Sequence, residues 1–220
     1  MTATAGWSGT DLATAVAIAA SRVTDAAGEL GRLDAQAGDG DLGTSLTTGF
    51  AAASAAADDL TSPDPAAVLT AVGRALATKA PSTMGTLLGT VFLRAAGAVT
   101  SSAVLDGAGV AALLETGSAA VEQRGGVGAG QRTVLDALLP SAAAARSAAD
   151  SGHDLTGVLA AAARAADEGA RATAAMEPQV GRAGWIPDRA RGHVDAGAAA
   201  WAVIMRALAD AAGAPGSHDD

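Results

Sequence analysis

Asp34, Asp39 and Asp41 stand close together in the chain, and Gly38, Gly40 and Gly43 are interleaved with them. Glycine lets the backbone turn sharply, so carboxylates two positions apart can be aimed at one point. Three gathered carboxylates repel one another, and Arg32 is the one base close in sequence, so the arrangement calls for a cation. Hard oxygen donors select Mg²⁺ or Ca²⁺. A calcium-binding EF-hand loop fails on register: counted from Asp39, its sixth position is Thr44 instead of glycine and its twelfth is Phe50 instead of glutamate. Mg²⁺ held partly by carboxylates and partly by phosphate fits better. For a lone Gly-Asp-Gly-Asp the plainer reading is a solvated turn, with Asp34 a helix-end residue.

Three further loops bear on that choice. Ser82-Thr83 and the stretch Gly130 to Thr133 both precede helical segments and so offer unpaired N–H groups and hydroxyls to phosphate oxygens. Each taken singly reads as a simple N-cap. The last loop carries Arg182, Arg189 and Arg191, with His193 and Asp195 where the next helix starts. Guanidinium forks bind phosphates in pairs of hydrogen bonds, although Arg189 and Arg191 read equally well as solvated loop residues. His193 reads as a capping or core histidine. Trp185 reads as a lid or adenine-side contact, or as a loop anchor. No P-loop exists, because Lys79 is followed by Ala80, and neither a Gly-x-Ser-x-Gly elbow nor a protein-kinase catalytic loop is present.

The elements that must position these residues are helices. The 220 residues include 62 Ala, no Tyr and 2 Phe, a balance that favours helix and starves strands. Periodicity and punctuation predict eight segments: Asp11–Leu33, Gly43–Asp58, a third starting at Pro63-Asp64-Pro65 and ending near Thr78, Met84–Val99, Gly107–Gln123, Thr133–Ala149, Leu155–Ala175 and Val194–Ala212. Thr133-x-x-Asp136 resembles a capping box with Asp in place of Glu, and Gly85-x-x-x-Gly89 predicts a packing notch between helices. Short connections predict an all-α, eight-helix antiparallel up-and-down bundle or barrel. Glycine and polar residues concentrate at the connections after helices one, three, five and seven. In an up-and-down arrangement these four share one end, so the four candidate loops should meet there.

Composition narrows the function. The formal charge of −9 repels phosphate backbones and anionic membranes, so neither a nucleic-acid nor a membrane partner is expected. Absence of Cys removes thiolate nucleophiles, disulfides and Cys-based metal centres. With no signal-peptide pattern at its start, the sequence reads as one soluble cytoplasmic domain over residues 1–220, with 213–220 as a flexible tail.

The ordered motifs match a known family. Leu33-Asp34-Ala35-Gln36-Ala37-Gly38-Asp39-Gly40-Asp41-Leu42-Gly43-Thr44 resembles the magnesium loop of the DhaL-type nucleotide-binding domain of dihydroxyacetone kinases. Gly125-Gly126 through Gly130, followed by Thr133-Val134-Leu135-Asp136-Ala137-Leu138, resembles its second motif. Gly181-Arg182-Ala183 with Gly192-His193-Val194-Asp195-Ala196-Gly197 is similar to its last, and Gly85 to Gly89 falls at a comparable helix start. The resemblance implies a barrel of eight helices with ADP or ATP at one end. It implies Asp34, Asp39 and Asp41 as ligands of two Mg²⁺ ions. Leu42, Gly43, Thr44, Ser45, Thr83, Met84, Gly126, Thr133, Val134, Arg182, Asp195 and Gly197 would form the nucleotide site, Arg182 also stabilising phosphate charge during transfer. Leu42 departs from the family's usual His, and Met84 from a common Ser. The acceptor, a small ketose, would sit on a separate DhaK-type subunit, and in one branch a DhaM-type subunit would rephosphorylate the bound ADP. Transfer to another small sugar, a lipid-phosphorylating system and a sensing or scaffold module without transfer stay open, as does a homodimer.

Overall fold

The computed structural model describes residues 6–99, 104–180, 184 and 190–214. Among these are nine α-helices: α1 (Gly9–Asp25), α2 (Ala27–Asp34), α3 (Leu42–Asp58), α4 (Pro65–Lys79), α5 (Thr83–Ala98), α6 (Gly107–Gly125), α7 (Leu135–Asp150), α8 (Leu155–Ala172) and α9 (Ala196–Gly213). Two two-residue strands, β1 (Gly6–Trp7) and β2 (Leu105–Asp106), pair antiparallel.

The fold is all-α and antiparallel. From α3 to α9 each helix packs on the one before it, α1 packs on α3, and α9 returns to α1, so eight helices close a ring. The eighth position of the ring is shared by α1 and its short continuation α2, which leans on α3 and α9. The interior is filled by Trp201, Phe50 and buried leucines, among them Leu46, Leu76, Leu88, Leu135, Leu138 and Leu159. Trp201 Nε1–H donates to Ser141 Oγ at 3.0 Å, which satisfies the one polar atom of that buried ring system.

Alanine and glycine faces let neighbouring axes approach closely. A Cβ on Gly89 would lie 2.9 Å from the Gly73 carbonyl oxygen and 2.8 Å from Ala77 Cβ, so Gly89 forms the expected notch, here between α4 and α5. Most helices start on a residue that closes the first turn with its side chain: Ser8, Asp64, Ser82, Asp106, Asp154 and Asp195 each accept from a backbone N–H three residues on.

The sequence expectation needs three corrections. The predicted first helix, Asp11–Leu33, is interrupted at Ala26, whose φ of −86° and ψ of −4° end α1 and begin α2. The predicted capping box at Thr133 is half formed: Asp136 Oδ2 accepts from the Thr133 N–H at 2.8 Å, but Thr133 Oγ1 accepts from Leu135 N–H, so α7 starts at Leu135 without a side-chain cap. Gly213, expected to open a tail, is the last residue of α9; residues 215–220 of that tail lie outside the described residues.

Candidate functional site

Because the ring alternates direction, the ends of α2, α4, α6 and α8 and the starts of α3, α5, α7 and α9 share one rim. The four loops singled out from sequence do meet there. They line one cleft of about 480 Å³, within the usual range for a small-molecule site. Asp34, Asp39 and Asp41 come from the first loop, Ser82, Thr83 and Met84 from the second, Arg132, Thr133 and Val134 from the third, and Asp195 and Gly197 from the fourth. Leu87, Val121, Val127 and Val180 supply apolar wall.

The first loop is built around Asp34, the last residue of α2. Its Oδ2 accepts the Gly40 N–H at 2.8 Å, and Gly40 takes a left-handed φ of 80° that favours glycine. A Cβ on Gly38 would come within 2.4 Å of Asp34 Oδ1, so any other residue there would push the Asp34 carboxylate out of this position. The result brings one oxygen each of Asp34, Asp39 and Asp41 within 4.8 Å of one another, Asp34 half-buried and the other two exposed. At such separations each like-charge pair costs about 1 kcal/mol with water-like screening and about 3 kcal/mol at an effective dielectric of 20. Arg32 does not relieve it, since its guanidinium is bidentate to Glu29 at 2.7 and 2.6 Å. Carboxylate oxygens in this cluster fit a hard divalent cation, and Mg²⁺, which keeps several exchangeable ligand positions, suits a rim open to a second oxygen donor.

Four helix N-termini face the same cleft, those of α3, α5, α7 and α9. Each carries roughly half a positive charge. Two are closed by their own side chains: Ser82 Oγ accepts from Gly85 N–H at 3.1 Å and Asp195 Oδ1 from Ala198 N–H at 2.8 Å. Asp41 before α3 makes no side-chain cap bond, whereas at the start of α7 the Leu135 N–H is taken by Thr133 Oγ1 and those of Asp136 and Ala137 by the Thr133 and Val134 carbonyls. A protein of charge −9 thus places positive backbone ends beside its acidic cluster, an arrangement suited to a metal-bridged anion.

Of the remaining residues implied by the resemblance, Leu42 lines the cleft at the first residue of α3. Gly43, Thr44 and Ser45 follow it on the first turn, where Gly43 lies against α2 and Ser45 is buried. Gly126 caps α6 with a left-handed φ of 59°. Arg182, Trp185 and Arg189 lie outside the described residues. Arg191 pairs with Glu177 at 3.0 Å on the surface. His193 contributes its backbone: its carbonyl oxygen accepts from Arg132 Nη2 at 2.8 Å. Arg132 itself was passed over in the sequence. It is 3% exposed and lines the cleft; the one signal was its place as the sole cation in a glycine-rich loop leading into a helix.

Asp195, a cleft carboxyl, carries a strong shift. Desolvation pushes its pKa up to about 6, assisted by the nearby Asp136 charge and opposed by the Ala198 and Gly197 N–H groups and the Arg132 charge. The folded pKa stands above the unfolded value of 3.8, so the folded state holds the extra proton between the two, and stability falls as pH rises through that window. Asp195→Asn keeps an oxygen for the Ala198 N–H and removes the ionisation. The variant is expected to melt higher than the parent at pH 8, with the advantage gone at pH 4, read from melting curves across that range.

The sequence pattern of the DAK2 domain matches residues 36–210. The chain is 36% identical to a D-erythrulose kinase of Mycolicibacterium smegmatis, over 87% of this chain and 33% of that protein. It is 30% identical to the ADP-binding DhaL subunit of a PEP-dependent dihydroxyacetone kinase of Listeria innocua, over 80% of this chain and 82% of the subunit. In fold it resembles the crystal structure of the dihydroxyacetone kinase from C. freundii in complex with AMP-PNP and Mg²⁺, with a TM-score of 0.71 at 24% identity over 93% of this chain and 34% of that one. Fold and site define an all-α barrel with its polar chemistry gathered on one rim. The chain belongs to the DAK2 domain family and is a DhaL-type member of it. It spans about a third of the length of the erythrulose and dihydroxybutanone kinases that it matches.

Proposed function

We propose that this chain is the Mg²⁺-dependent adenine-nucleotide domain of a kinase that phosphorylates a small ketose. The observation that carries the reading is the convergence of three carboxylates, within 4.8 Å of one another, with four helix N-termini on one cleft. Asp34, Asp39 and Asp41 would hold two Mg²⁺ ions, which when bound neutralise phosphate charge and orient the transferring group. The protein's own part is placement. Gly38 and Gly40 fix the Asp34 carboxylate, and the first turn of α3, without a side-chain cap, offers N–H groups to phosphate oxygens. Leu87, Val121 and Val127 give an apolar wall that suits a base and keeps water from it. Arg182 would add a guanidinium on the phosphates, as the family resemblance implies.

The acceptor reading rests on relatives: kinases named for erythrulose and dihydroxyacetone share this domain. The ketose and the base that takes its hydroxyl proton would come from a DhaK-type partner, in the cytoplasm, with ATP or a DhaM-type subunit as phosphoryl source. The test combines the purified chain with a ketose-loaded DhaK-type subunit, Mg²⁺ and ATP or a phosphorylated donor subunit, and follows ³¹P NMR. A new phosphomonoester signal from dihydroxyacetone or erythrulose is expected. Tight Mg²⁺–ADP binding with no phosphorylated ketose under either donor would establish a sensing or scaffold module instead.

A further inference from the structure

We propose that Arg132 is a phosphate-binding residue of the cleft, which receives the charge of the nucleotide's phosphate chain from the α7 side. This rests on the nucleotide reading above and assigns a residue that the reading does not use. Three observations on Arg132 point the same way.

The side chain is 3% exposed and lines the cleft, yet among the described residues it forms no ion pair with a carboxylate. Its Nη2 donates to two neutral carbonyls, those of Ala190 and His193, each at 2.8 Å, and its Nε has no hydrogen-bond partner. A buried cation whose hydrogen bonds all go to neutral oxygens carries a desolvation cost that an anion in contact would offset. Asp195, which feels the Arg132 charge, closes the first turn of α9, and Asp136 accepts from the Gly130 and Thr133 N–H groups.

The backbone tells the same story. Arg132 has a φ of 59°, a left-handed conformation that is strained for a residue with a Cβ and that Gly or Asn would hold more easily. If tying the Ala190 and His193 carbonyls were its whole task, a neutral donor would serve without burying a charge. A guanidinium is instead suited to grip carbonyls with one edge while its charge and remaining donors face a phosphate. The positive end of the α7 dipole begins beside it.

The test is calorimetry on the full chain with Mg²⁺–ADP, paired with adenosine binding by NMR, for the parent, Arg132→Gln and Arg132→Lys. Arg132→Gln keeps a donor for the carbonyls and loses the charge. It is expected to weaken ADP ten- to a hundredfold while changing adenosine affinity less than twofold, and Arg132→Lys is expected to fall between. The ratio of ADP to adenosine affinity is the reading, because a merely structural role would move both ligands together. An unchanged ratio in both variants overturns this assignment. If Arg132→Gln does not fold, Arg132→Lys with a parental ratio and a parental salt dependence of ADP binding overturns it equally. A parent chain that takes neither ADP nor adenosine overturns the nucleotide reading itself.

Discussion

Asp39→Asn is expected to leave the helical barrel intact and to remove Mg²⁺-dependent ADP binding, with affinity falling at least ~100-fold. Asp39 is exposed and outside the buried core, so its replacement leaves the packing of the barrel untouched. The site has a great deal at stake. Of the three oxygens gathered within 4.8 Å, two come from the exposed pair Asp39 and Asp41, and replacing one carboxylate by an amide removes both a ligand and a third of the cluster's charge. Losing even an outer-sphere partner of a metal ligand typically costs 10–100-fold in affinity, and losing the ligand itself costs more. Removing a charge from the cluster also relieves repulsion in the metal-free protein. The melting temperature without Mg²⁺ should therefore hold or rise slightly while the stabilisation by Mg²⁺–ADP disappears. Calorimetry with melting curves reads both. An Asp39→Asn protein that binds ADP as the parent does, with the same Mg²⁺ dependence, removes the three-aspartate site from consideration.

Gly43→Ala should damage both fold and site, through one backbone contact. A Cβ on Gly43 would sit 2.0 Å from the Ala27 carbonyl oxygen and 2.8 Å from its carbon, so α3 and α2 touch main chain to main chain. No side chain can rotate away to relieve that overlap. Forcing a methyl group into a packed contact of this kind typically costs about 1–3 kcal/mol, which lowers Tm by roughly 2–12 °C in a chain of this size. Because α2 carries Asp34 at its last residue, its displacement also pulls one ligand away from Asp39 and Asp41. Mg²⁺ affinity should fall together with Tm. Gly28→Ala is the control: it lies on α2 beside Ala27, and nothing stands within 4 Å of its Cβ position, so it should be neutral or slightly stabilising. A Gly43→Ala protein with parental Tm and parental Mg²⁺ affinity would show that this contact does not place Asp34.

Much of this site was legible because its signals are local. Aspartates alternating with glycines, hydroxyls just before helix starts, and the parity of the connections that carry them all survive in one dimension, and they located the rim. Other features depend on partners far along the chain. The break at Ala26 has no signal of its own, since alanine is the best helix former; the turn exists because α2 must lie on the first turn of α3 through Ala27 and Gly43. Arg132 looks like any loop arginine until the carbonyls of Ala190 and His193, about sixty positions on, enclose it. Leu87 and Val121 are apolar residues on helices and Val127 sits in the loop after α6, and nothing in the sequence separates apolar residues that face the cleft from those that fill the core. The β1–β2 pair, two residues from each strand, is too short for any alternation to announce it.

The most direct measurement is a crystal of the chain grown with ADP and Mn²⁺ in place of Mg²⁺, with the metal located by its anomalous scattering. The expected map shows manganese coordinated by carboxylate oxygens of Asp34, Asp39 and Asp41 and by phosphate oxygens of an ADP lying in the cleft. Manganese bound elsewhere, or ADP in the cleft with these three side chains free of metal, would contradict the central claim.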